Sequence, residues 1–190
     1  MEFHTTRIPG VLSICPEPVR DERGWFCRTY CRREFREAGI DVEFVQAGTS
    51  YNSRRGTLRG LHYQAMPFSE AKLVRVVRGR IWDVVVDLRP DSPTYLQWEG
   101  RELCGDQPGS LFIPAGCAHG FLTLADHTEL TYQLSACYTP HAAFGLRWND
   151  PLLKINWPEV GEKIISPRDQ AWPWLADRWD RPHIDLLRSC

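Results

Sequence analysis

Between Leu73 and Tyr138 the chain is a succession of short apolar runs, each cut off by glycine, proline or aspartate: Leu73 to Val77, Ile81 to Leu88, Leu111 to Pro114, Phe121 to Leu124 and Leu130 to Tyr138. This is the punctuation of an all-β sandwich or barrel. Ile81 to Leu88 is rich in β-branched and aromatic residues. Arg78-Gly79 just before it reads as a tight turn, so the runs on either side are expected to form a hairpin. Helical signals are sparse. The best is Arg32 to Ala38, made of good helix formers and stopped by Gly39, and one or two short helices are expected beside the sheet. Trp148-Asn149-Asp150-Pro151 and Ser166-Pro167-Arg168-Asp169 read as turns, because Asn and Asp bond their own backbone and Pro presets φ. The Trp-, Pro- and Arg-rich tail beyond Asp169 reads as an irregular or short helical appendage.

At 190 residues the chain can bury a full core, and one domain is the default. The formal net charge is -1, with no long block of one sign, which argues against non-specific nucleic-acid binding. Seven cysteines, an odd set without a Cys-x-x-Cys pair, argue against a disulfide framework and a structural zinc site and suit a reducing cytoplasm. The N-terminus has no basic region followed by an apolar run, and no apolar stretch approaches the ~20 residues needed to span a bilayer. A cytoplasmic protein without membrane contact is expected.

Chemistry first shows in Gly56-Thr57-Leu58-Arg59-Gly60-Leu61-His62-Tyr63-Gln64, followed by Lys72-Leu73-Val74-Arg75-Val76, which set a cation, a histidine and a lysine on strand-like segments. If Thr57 to Gln64 is extended, Leu58, Gly60 and His62 share one face and Arg59, Leu61 and Tyr63 the other, unless Gly56 or Gly60 admits a bulge. Taken alone, His62 reads better as a hydrogen-bonded histidine of a half-buried sheet, and Lys72 as a surface lysine.

The segment Gly109 to Phe121 contains Pro114-Ala115-Gly116-Cys117-Ala118-His119. This Pro-x-Gly-x-x-His core resembles the second signature of the cupin superfamily, whose fold is a double-stranded β-helix, or jelly-roll barrel. In metal-binding cupins that histidine joins a His-x-His pair and a glutamate, whereas His62 is followed here by Tyr63 and Gln64. A catalytic metal site normally uses about three protein ligands, so His62 and His119 form an incomplete set and no metal is expected. Glu70 is the carboxylate that would have to complete it. Aside from the resemblance, His119 reads as a histidine hydrogen-bonded at a loop, or as one facing a ligand in glycine-rich, apolar surroundings.

Taken together, Asp21-Glu22-Arg23-Gly24-Trp25-Phe26, Phe35 to Ile40, Gly56 to Gln64, Lys72 to Gly79, Asp83 to Arg89, Ile113 to Phe121, Glu129-Leu130-Thr131-Tyr132, Gly145 to Pro151 and Ser166-x-x-Asp169 resemble the dTDP-4-dehydrorhamnose 3,5-epimerase family. The resemblance covers roughly residues 1 to 174, taken as a single cupin domain with short flanking helices; 175–190 would be a C-terminal extension packed on it or partly irregular. It implies an isomerase that inverts carbons flanking the ketone of a nucleotide-linked 4-keto-6-deoxyhexose, at C3, C5 or both, without a cofactor. Removing a proton beside a ketone needs a neutral base, and imidazole titrates near neutrality. By resemblance His62 is that base, Asp169 its orienting partner, Lys72 the cation that stabilises the enolate and Tyr132 the acid returning a proton from the other face. Arg59 and Arg23 would hold the diphosphate, with Gln46, His119 and Tyr138 as further substrate contacts. In the family the arginine corresponding to Arg23 reaches a neighbouring subunit's site on an exchanged N-terminal segment, which implies a homodimer.

The chain departs from the family's pattern at Arg28, where Glu is usual, and at Ala47 to Asn52, where it reads one residue longer. It departs again at Ser135-Ala136-Cys137-Tyr138, where Asp-Tyr-Tyr is usual. The catalytic set is kept while the recognition set drifts. Two other readings remain at this level: a non-catalytic cupin that binds a sugar nucleotide, and a metal-dependent cupin oxygenase. Both use fewer of the residues.

Overall fold

The computed structural model describes residues 1–178. Its elements are β1 (Glu2–Thr5), β2 (Leu12–Cys15), β3 (Val19–Asp21), β4 (Gly24–Phe26), α1 (Arg32–Glu37), β5 (Gln46–Asn52), β6 (Thr57–Gln64), β7 (Lys72–Arg78), β8 (Arg80–Asp87), β9 (Trp98–Cys104), β10 (Ser110–Ile113), β11 (Cys117–Thr123), β12 (Thr128–Leu134), β13 (Ala143–Gly145), β14 (Ile164–Ile165) and α2 (Pro167–Gln170). A first sheet runs β1-β2-β10-β7-β12-β5, and a second runs β13-β6-β11-β8-β9 with β14 added beside β6. β3 and β4 form a separate two-stranded arm. The all-β jelly-roll expectation holds.

Side-chain alternation along β8 explains why the sheets face each other. Ile81 and Val85 point between them and meet Val74, Leu111, Phe121 and Leu130, whereas Val84 and Val86 point outward to Leu61 and Leu146. Both faces are covered, so this stretch reads as continuously apolar rather than alternating. Each such side chain taken from water stabilises the fold by about 1.5–3 kcal/mol. Outside the first sheet, Phe35 of α1 packs with Ile14, Leu73 and Phe112 and meets Phe3, Tyr30 and Phe44 edge-on. α1 has only 6 residues and no side-chain cap at Cys31. So short a helix does not persist alone in water; the burial of Phe35 holds it.

The expected hairpin at Arg78-Gly79 is not formed. β7 lies in the first sheet and β8 in the second, so the turn carries the chain across the edge of the sandwich. Gly79 has φ +79°, and a Cβ there would collide with Thr128. Turn residues signal a reversal locally; they do not specify which sheet receives the next strand.

The C-terminal segment is tied down by buried Asp150, whose carboxylate accepts the N–H of Leu152 (2.9 Å) and of Leu175 (2.7 Å). The turn expected at Trp148 to Pro151 is present. Ser166 to Asp169 is instead the start of the one-turn helix α2: Ser166 Oγ accepts the Asp169 N–H at 3.1 Å and Pro167 occupies the first turn. This is an N-cap with a pre-organised proline, a helix start rather than a simple turn. Leu175 is buried at the head of a 3-10 turn, Leu175–Arg178; 179–190, the rest of the expected extension, lie outside the described residues. Among the described residues, no helix is long and apolar enough to cross a membrane, and the six cysteines there are free.

Candidate active site

β6 and β11 pair with His62 opposite His119 and Arg59 opposite Phe121. Between these pairs, Gly60 and Leu61 face Gly120 alone, which makes a β-bulge. Gly60 has φ +118°, and a Cβ there would lie 2.5 Å from Gly120 Cα, so no other residue fits. The bulge breaks strict alternation. Arg59 and His62, expected on opposite faces, line the same cavity, while Leu61 and Tyr63 turn to the outer core.

The carboxylate partner arrives from the far end of the chain. β14 pairs in parallel with β6, Ile164 beside Thr57 and Ile165 beside Leu58, and α2 then sets Asp169 under the bulge. His62 Nε2 lies 2.6 Å from Asp169 Oδ1, and Gly60 N–H donates to Oδ2 at 3.2 Å. Burial works against the charge on Asp169. The bond from His62, the charge of that ring, and the N–H groups of Gly60 and Trp172 outweigh it and hold the carboxyl below its ordinary range. An ionised carboxylate only accepts. His62 therefore carries its hydrogen on Nε2 and keeps Nδ1 as the nitrogen able to take a proton.

The first sheet supplies Lys72 and Tyr132. Lys72 and Glu70 are both buried and paired, with Nζ 2.9 Å from Oε1, and Nζ also donates to the His62 carbonyl at 3.3 Å. Tyr132, on β12, stands opposite Val74 of β7 and Gly48 of β5 and opens into the cavities that His62 lines. Burial, together with the charge of Asp83, raises its phenol well above the ordinary value; Arg59 and the Ser50 hydroxyl oppose this more weakly. His119 is not at a loop but on β11, buried, with Nε2 2.7 Å from Asp83 Oδ2.

Three cavities meet at His62; the one shared with Lys72, Tyr132 and Tyr138 has a volume of about 270 Å³. At its mouth Tyr138 is half exposed, its N–H donating to Gln46 Oε1 at 2.9 Å. Arg59 is braced by Asn52 Oδ1 (2.8 Å) and the Tyr51 carbonyl (3.4 Å). Arg23 lines none of these three cavities: it sits at the exposed tip of the β3–β4 arm and pairs with Asp21. Arg28 pairs with Glu34 at 2.6 Å. The unusual stretch from Ala47 to Asn52 forms most of β5.

The family model for dTDP-4-dehydrorhamnose 3,5-epimerase matches residues 5–177. The chain belongs to that family. A relative of the same description from Methanothermobacter thermautotrophicus is 44% identical over 92% of this chain and 95% of its own. A relative from Streptomyces niveus, described as dTDP-4-dehydrorhamnose 3-epimerase, is 39% identical over 100% of this chain and 91% of its own. The crystal structure of the Legionella pneumophila 3,5-epimerase in complex with dTDP-4-keto-L-rhamnose is 38% identical and superposes with a TM-score of 0.88, covering 92% of this chain and 93% of that one. Membership of the 3,5-epimerase family makes the chain an isomerase with the cupin fold.

The sequence reading paired His62 with Asp169 but missed the partners of His119 and Lys72. Asp83 pairs with His119, and its signal was a lone carboxylate at the inward phase of the apolar β8 run, between Ile81 and Val85. Glu70, weighed as a metal ligand, is the counter-ion of Lys72. Among the described residues, no three His, Cys, Asp or Glu side chains come together as a metal site.

Proposed function

We propose that this epimerase inverts carbon centres flanking the ketone of a nucleotide-linked 4-keto-6-deoxyhexose, C3, C5 or both. The observation that carries the reading is topological: a histidine paired with a carboxylate on one sheet and a partly buried phenol on the other open into one cavity. Inversion requires this. The proton leaves from one face of the sugar and returns to the other.

His62 Nδ1 takes the α-proton, and the resulting imidazolium is stabilised by Asp169. The electrons of the broken C–H bond move into the carbonyl, leaving an enolate oxygen beside the Lys72 ammonium. A pre-organised donor of this kind contributes about 3–4 kcal/mol to the transition state, two to three powers of ten in rate. Tyr132 delivers its proton to the opposite face of the carbon. The raised phenol keeps it protonated across the working pH range and favours recovery of a proton from water after each turnover. Arg59 faces the diphosphate, since a guanidinium fork matches phosphate oxygens, and Tyr138 with Gln46 borders the nucleotide end. His119, held by Asp83, borders the sugar. Arg23 serves the site of a second copy in a homodimer that exchanges the β3–β4 arm; Val19 and Phe26 on that arm are exposed and apolar, a surface suited to burial against a partner.

The test is NMR of several nucleotide-linked 4-keto-6-deoxyhexoses in deuterated water with purified protein. Exchange and inversion at C3 and C5 is expected, or at C3 alone if the site works like the 3-epimerase relative. Absence of exchange with every such substrate would sink the reading.

A further inference from the structure

We propose that Trp172 is a positioning residue for the His62–Asp169 pair, its indole N–H sharing the carboxylate oxygen to which His62 is bonded. The inference rests on the reading of His62 as the base.

Trp172 lies three residues beyond Asp169, just past the Ala171 C-cap of α2, where the chain turns its indole back toward the carboxylate. Its Nε1–H donates to Asp169 Oδ1 at 3.3 Å, the same oxygen that lies 2.6 Å from His62 Nε2. The indole rests on Gly145, the residue of β13 directly opposite His62 in the β13–β6 register. A Cβ at 145 would collide with the indole nitrogen, so the ring occupies space that only glycine leaves. Arg168 also approaches the ring, its guanidinium 5.3 Å from the centroid, and lines two of the cavities around His62. In contact with both Gly145 and Arg168, the indole is held as a donor.

Three N–H groups therefore define the carboxylate plane: Gly60 on Oδ2, His62 and Trp172 on Oδ1. A second donor on Oδ1 draws off charge, so Asp169 is a weaker acceptor for the His62 hydrogen and stabilises the imidazolium less. The other groups around the imidazole are Lys72, which donates to its carbonyl and is neutralised by Glu70, and Arg59, His119, Tyr132 and Arg168, which line the same cavities. Trp172→Phe alters none of these and keeps a ring against Gly145 and under Arg168.

The experiment compares wild type with Trp172→Phe by NMR titration of the His62 ring, which needs no substrate, and by the pH profile of kcat/KM. In the variant the His62 midpoint and the acid limb of the profile are expected to rise together by roughly half a pH unit, with KM unchanged. An unchanged midpoint in a folded variant overturns the proposal. If the variant does not fold, the Trp172 indole N–H resonance of the wild type decides: it must move with the His62 titration, and a constant shift overturns the proposal. Failure of the proposed reaction shows separately, as absent α-proton exchange in the wild type.

Discussion

Asp169→Asn isolates the charge behind the proposed base while keeping the shape of the side chain. In the wild type an ionised carboxylate sits 2.6 Å from Nε2; the amide removes that charge and can donate to Nε2, which would move the imidazole hydrogen onto Nδ1 and block the reactive nitrogen. Opposite charges about 4 Å apart at an effective dielectric near 20 interact by ~4 kcal/mol. The His62 side chain is 43% exposed, so water screens part of this and about 3–4 kcal/mol is the appropriate range. That corresponds to a fall in kcat of roughly 10²–10³. KM should change less than about threefold, because Asp169 lies behind the imidazole rather than against the sugar. The assay is loss of the substrate α-hydrogen signal in deuterated water, measured alongside circular dichroism. A folded Asp169→Asn protein exchanging within tenfold of wild type would refute the role assigned to the pair.

Tyr132→Phe should separate the two half-reactions: α-proton exchange continues because the base is intact, while inverted product, followed by NMR, falls about 10²–10⁴-fold, the usual worth of a positioned acid. Gly60→Ala forces a Cβ against Gly120 and the His119 carbonyl; both activity and the unfolding midpoint in urea are expected to drop, whereas a fully active, equally stable variant would contradict the bulge. Burial pushes the Asp87 carboxyl up, but bonds from Arg89, Ser92 and Thr94 outweigh it and hold it at about 2. A carboxylate depressed in the folded state stabilises above its unfolded value and loses that effect as pH falls. The stability advantage of wild type over Asp87→Asn should therefore shrink by about 2 kcal/mol between pH 5 and pH 2 in urea unfolding.

Much of the architecture was legible because both faces of the central strands are buried, which leaves β8 as an unmistakable apolar run. Sheet membership was not. The Arg78-Gly79 reversal and a hairpin turn look alike in sequence, and only the burial of each strand against the opposite sheet tells them apart. At the site, His62, Lys72, Tyr132 and Asp169 carried a local or family signature, whereas Asp83, the Glu70–Lys72 pairing and Trp172 acquire meaning only from neighbours distant in sequence. The bulge is intermediate: Gly60 marked a place able to break alternation, but nothing local stated that it would bring Arg59 and His62 to one side.

With His62 and Asp169 in the roles proposed for them, catalysis would be the last property this fold acquires. On a chain growing from its N-terminus, the strands of the sandwich through β12 can pair and bury their core before residue 164 has been made, with the cavity in place and His62 already inside it. Only when β14 lies down beside β6 does the imidazole receive its carboxylate, so on the proposed mechanism turnover would report completion of the C-terminal segment rather than formation of the barrel. A folded but truncated or locally frayed molecule would be a silent binder of its substrate.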